Sequence, residues 1–193
     1  MKLNCQQVID QLIADTEAIN HIVKNEFQPL SVEQLNHRPA PGKWGINHCL
    51  EHLNISLRLY LRNIKRVLEK SKTNSWLAKD TYSSGWLGNM AVNGLLPKSN
   101  GVIKLKMPTL KGWDPGKDAP ENPNALPVFL ELSNSLINLL NQARKYDLGK
   151  AKVPTSLPLL QFKLGDSLRF IMAHNKRHIQ QAQNVKAALY PTV

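Results

Sequence analysis

Two segments in which an apolar helical period carries paired histidines constrain this chain more than any other feature. Between residues 164 and 185, Leu164, Leu168, Ile171, Ala182 and Val185 recur at helical steps. His174 and His178 stand four apart in the same run, so both imidazoles project from one face. That spacing lets two rings grip one metal ion, and any third ligand has to come from elsewhere in the chain. Residues 44–70 form the second segment. Its buried stripe is expected to be Ile46, Cys49, Leu50, Leu53, Leu57, Leu61, Ile64 and Leu68, and His48 and His52 repeat the four-residue spacing.

The rest of the chain supplies partners for these helices. Residues 4–24 keep a helical period through Val8, Ile9, Leu12, Ile13, Ile19, Ile22 and Val23, with His21 a surface or packing residue. Pro29 breaks the chain, Ser31 is placed to cap a short turn, and Arg38-Pro39-Ala40-Pro41-Gly42 delivers it to the second long helix. Trp44, following Pro-Gly at a helix start, is expected to be buried as a packing anchor. A third long helix follows Pro127 and runs through Phe129, Leu132, Leu136, Leu139, Leu140 and Ala143 to about Tyr146. Val153 to Pro158 reads as extended or loop, and Asp166 as the cap of the fourth long helix. Four amphipathic helices with little strand signal predict an all-α four-helix bundle, a single domain over residues 1–193.

Between the second and third long helices the period fades and Gly, Pro, Asn and Trp accumulate. A long irregular connection is expected there, with a short helix near residues 87–95, a packed excursion beyond it, and Trp76, Trp86 and Trp113 as anchors. A loop of this kind beside a metal site could also line a pocket.

Zinc, nickel, iron or manganese can be held by three imidazole nitrogens with a position left open. His52, His174 and His178 would supply such a set if the second and fourth long helices face each other, with nitrogens about 3 to 3.5 Å apart. The spacing alone leaves His48 as an alternative and leaves ordinary hydrogen-bonding histidines as another. Glu51 is rotated away from His52 on a helix and is not taken as a ligand. Lys176 and Arg177 adjoin the ligands but are expected to turn off their face.

The net charge is +11, yet the basic residues are spread over residues 58–72, 98–117, 144–152 and 163–186 without aromatic interleaving. This favours a solvated basic surface and makes nucleic acid an unlikely partner. Cys5 and Cys49 are far apart, and Cys49 falls in a helical stripe as a buried free thiol. No long apolar run and no signal-type start are seen, so a cytoplasmic protein without membrane segments is expected.

The stretch Arg38-Pro39-Ala40-Pro41-Gly42-Lys43-Trp44-Gly45-Ile46-Asn47-His48-Cys49-Leu50-Glu51-His52-Leu53, followed by Leu164 to Gln181 with its His174-x3-His178-Ile-x-Gln181 pattern, resembles the DinB/YfiT-like family of metal-binding four-helix bundles. The resemblance implies the bundle with its long connection, a divalent metal, and His52, His174 and His178 as its ligands, with His48 outside the set. It also implies a homodimer. One departure is Gly45, where the family commonly has Ser or Thr. Relatives that transfer low-molecular-weight thiols such as bacillithiol or mycothiol suggest a small-thiol-dependent S-transferase acting on a small molecule. A metal-dependent hydrolase and a non-catalytic binding or stress-response module are the alternatives.

Overall fold

Residues spaced at helical steps in the sequence are buried at helical steps in the fold. In this computed structural model, which describes residues 1–97, 101–103, 109, 112–116 and 123–189, six helices follow in order. They are α1 (Cys5–Ile22), continued by a π-helical turn over Val23–Phe27, then α2 (Val32–Asn36), α3 (Ile46–Thr73), α4 (Trp86–Leu95), α5 (Ala125–Ala143) and α6 (Leu164–Leu189). Ile46, Leu50, Leu53, Leu57 and Ile64 of α3 are fully enclosed, as are Phe129 of α5 and Leu164 of α6.

The four long helices α1, α3, α5 and α6 form the bundle. Helix α3 packs against α5 and α6, and α1 packs against the same two, so α1 and α3 lie on a diagonal. The long connection therefore joins adjacent helices, and on its way it lays α4 against α6. The expected packed excursion beyond α4 falls partly on residues 98–100, 104–108, 110–111 and 117–122, outside the described residues.

Helix starts show how the sequence fixes these elements. The Asn4 side chain accepts from Gln7 N at 2.9 Å to cap α1. Ser31 and Gln34 exchange two bonds in a capping box at α2, as Ser31 suggested. Pro127 sits in the first turn of α5, where its missing N–H costs nothing. At Gly45, before α3, a Cβ would stand 2.6 Å from the His37 carbonyl oxygen, so the close approach of the preceding segment requires glycine in place of Ser or Thr.

Asp166 does not cap α6. That helix begins two residues earlier, and the amides of Leu164 and Gly165 donate to the carbonyls of Ala151 and Leu148, both at 2.9 Å. The carboxylate is thereby free to serve α4. It accepts from Gly85 N at 2.7 Å, from Ser84 Oγ at 2.6 Å and from Tyr82 Oη at 3.3 Å, with Arg169 at 3.6 Å. Gly88 permits this docking, since a Cβ there would lie 2.7 Å from that of Asp166.

Four short strands add to the helical reading. β1 (Lys2–Asn4) pairs antiparallel with β2 (Thr81–Ser83), and β3 (Lys152–Pro154) with β4 (Gln161–Lys163). Each is three residues long, too short for an alternating pattern to register in the sequence. Trp76 is half-buried against the core, as an anchor should be, but Trp86 is 76% exposed and anchors nothing. Among the described residues no helix is long and apolar enough to cross a membrane.

Asp166→Ala should lower stability by about 3 kcal/mol in urea unfolding, because it strands the buried Tyr82 hydroxyl and the half-buried Ser84, Gly85 and Arg169 donors at once. A loss under about 1 kcal/mol would show that the carboxylate does not hold α4 in place.

Candidate metal centre

His52 comes from the second turn of α3, and His174 and His178 from successive turns of α6. Because those helices pack face to face, the three rings meet inside the bundle with relative exposures of only 5%, 8% and 8%. His52 Nε2 lies 3.0 Å from His174 Nε2, and one nitrogen from each of the three rings falls within 4.8 Å of the others. Their ring centroids are 4.5 to 5.0 Å apart.

Hydrogen bonds fix which nitrogens face the centre. The Trp113 carbonyl, which can only accept, is 2.7 Å from His52 Nδ1, so that nitrogen carries the proton and Nε2 presents its lone pair. His178 Nδ1 stands 3.1 Å from Gln181 Oε1, and His174 Nδ1 stands 3.4 Å from Ser56 Oγ. All three rings can thus hold a proton on the outer nitrogen and turn Nε2 inward, the outer contacts that orient metal-binding imidazoles. Two inward lone pairs at 3.0 Å repel each other unless a cation lies between them. Donors on an ion about 2.1 Å away are spaced about 3.4 Å apart, so the set fits a small divalent ion after slight side-chain adjustment.

A proton is a poor substitute for that cation. Burial holds the His178 pKa down to about 3, with the charges of His52 and Arg177 adding to the effect. Burial likewise holds His174 well below its ordinary value, and His178, His52 and Arg177 push the same way. His52 is lowered by burial, against the opposing bond to Trp113. The rings are neutral near pH 7, as metal ligands must be.

His48 lies outside the cluster. It is buried, its Nε2 contacts Arg38 Nη2 at 2.8 Å, and burial lowers its pKa. Glu51 receives a bond from Asn54 at 3.3 Å and does not join the histidines.

The histidines open onto a cavity of about 460 Å³ with apolar walls from Trp44, Trp113 and Phe170. Trp44 is half-buried there, and its ring lies 4.9 Å from that of His52 and 5.8 Å from that of His178. The expected packing anchor does pack against the core, but it is only partly buried, because the indole also closes one side of the cavity. Arg177 is a second correction. It is 8% exposed and lines the same cavity, whereas Lys176 is turned away to Asp15 at 2.6 Å. Arg177 falls three residues after His174, a spacing that shares a helical face and was visible in the sequence. Gln181 repeats it after His178.

The chain belongs to the DinB superfamily, whose model matches residues 16–182. No curated protein and no solved structure matches the chain.

The metal-free protein should lose stability on acidification. The folded chain resists protonating these rings and the unfolded chain does not, so their contribution is complete above pH 6.5. It then falls as the pH drops, for His178 down to about 3 and by up to about 1.4 kcal/mol per pH unit, with His52 and His174 acting in the same direction. Urea midpoints of chelator-treated protein should decline from pH 7 to pH 5, and a flat profile would contradict neutral buried rings.

Proposed function

We propose that this protein is a divalent-metal enzyme whose His52, His174 and His178 hold the ion, and that it transfers a small thiol to an electrophilic small molecule. The observation that carries this reading is the convergence of one ring nitrogen from each of three buried histidines, Nε2 of His52 and His174 among them, with no Cys, Asp or Glu joining the group among the described residues. Zinc, nickel, iron or manganese held there would supply a Lewis acid that makes a thiol or water in the open position more acidic.

The chain's own residues do the remaining work. The Trp113 carbonyl and the Gln181 amide keep the imidazoles aimed inward. Trp44, Trp113 and Phe170 exclude water from one side of the reacting groups, which strengthens every charge interaction inside. Lys43 and Arg177, both on the cavity wall, favour a substrate or thiol that carries an acid group. These cations support the thiol-transfer reading over hydrolysis of a neutral ester, since they would attract an acidic thiol to the histidines.

Metal analysis and circular dichroism on untagged wild type and His174→Ala test the proposal. Ala is the better helix former and the apolar seam is carried by other residues, so the variant should stay folded while its metal falls at least tenfold. Thiol consumption in the presence of an electrophile should disappear with the metal. Ester or amide cleavage without thiol loss would instead identify a hydrolase, and a wild type that retains no metal would leave a non-catalytic binding module. Arg177→Gln should raise KM for acidic thiols about tenfold with little change in kcat, as loss of uniform binding does. Unchanged KM would remove Arg177 from the substrate contacts.

A further inference from the structure

A second cleft, of about 480 Å³, lies between the C-terminal half of α3, the turn that follows it and the β3–β4 hairpin. It shares no lining residue with the histidine cavity. Arg66 and Lys70, its nearest α3 cations, are 14 and 18 residues beyond His52, or about 21 and 27 Å along the helix axis.

Among the described residues four cations line this cleft, Arg66 and Lys70 from α3 and Lys150 and Lys152 from the hairpin side, and no Asp or Glu lines it with them. Arg66 and Lys70 are four apart and share one helical face. Trp76 holds the two groups together, with Lys70 Nζ 5.7 Å and Lys150 Nζ 5.1 Å from its ring centroid. The Asn63 amide donates to the Pro154 carbonyl at 3.2 Å and ties the hairpin to α3 at the cleft.

Gathering like charges in one concavity costs free energy that a solvated basic surface avoids by spreading them out. The ion pairs among the described residues engage Lys79, Arg144, Arg169, Lys176 and Lys186, and none of the four cleft cations. A bound anion of high charge density would offset the repulsion among the four cleft cations.

We infer that the cleft is a binding site for a small polyphosphate anion, free or carried on a nucleotide. The charge is four formal positives in a bounded hollow, which suits several phosphate charges on one small molecule. A nucleic-acid strand would call for an extended groove with successive stacking rings, and among the described residues Trp76 is the one aromatic ring lining this cleft. Its ring is already flanked by two ammonium groups, leaving their remaining N–H donors for phosphate oxygens.

Calorimetric titration of the full chain with tripolyphosphate at low salt tests the site. Saturable one-to-one binding is expected, weakened at least tenfold in the double variant Lys70→Gln, Lys150→Gln. A second double variant, Lys2→Gln with Lys24→Gln, removes the same charge from exposed positions elsewhere and should bind within twofold of wild type. ATP binding tighter than tripolyphosphate, with the same loss in the cleft variant, would support the site and show that the nucleoside is engaged. Equal weakening in both double variants, absence of saturable binding, or tighter binding of a short oligothymidylate than of tripolyphosphate would overturn the inference.

Discussion

The packing of α3 on α6 is the constraint from which the site follows. Each helix presents one face that is apolar along most of its length, and α3 carries its imidazoles near its first turns while α6 carries them near its middle. Leu53 and Leu57 of α3, and Ile171 and Ala182 of α6, are buried in that arrangement. Dispersion and apolar burial hold the helices together and so force His52, His174 and His178 out of water as well. Burial is the first cause of their lowered basicity, and the same geometry turns their lone pairs toward one another. Three polar rings in a buried seam would weaken a bundle unless their inner nitrogens shared a partner.

The long connection completes what the helices begin. It returns to the bundle at Trp113, whose carbonyl fixes the tautomer of His52 and whose ring walls the cavity. A backbone carbonyl in an irregular segment leaves no mark in the sequence, so Trp113 was readable only as an aromatic anchor. Asp166 was similarly half-legible. A carboxylate at a helix start signals a cap, but the pattern cannot say that its partner is the Gly85 amide just before α4, some eighty residues earlier in the chain.

What was legible is what repeats locally. The 3.6-residue period located the four long helices and put His174 beside His178, and the resemblance to DinB-like bundles separated His52 from His48. The same period, followed strictly, puts Arg177 on the ligand face. It is rotated about 60° from His174, while Lys176 is about 160° away and reaches Asp15. Non-local features were not readable at all. Lys70 and Lys150 meet at Trp76 from opposite ends of the long connection and α5, and nothing in their spacing announces it. Trp44 and Trp86 failed the usual burial rule for opposite reasons, one because it borders a cavity and the other because it faces solvent.

The central claim is that three Nε2 atoms, each held inward by a bond at Nδ1, bind one divalent ion. Long-range proton–nitrogen NMR of the zinc-loaded protein, labelled at histidine, reads this directly. Three coordinated Nε2 resonances assigned to His52, His174 and His178 are expected, each ring protonated at Nδ1, with His48 unaffected by zinc. Coordination through Nδ1 of any of the three, or zinc-dependent shifts at His48 in place of His52, would contradict it.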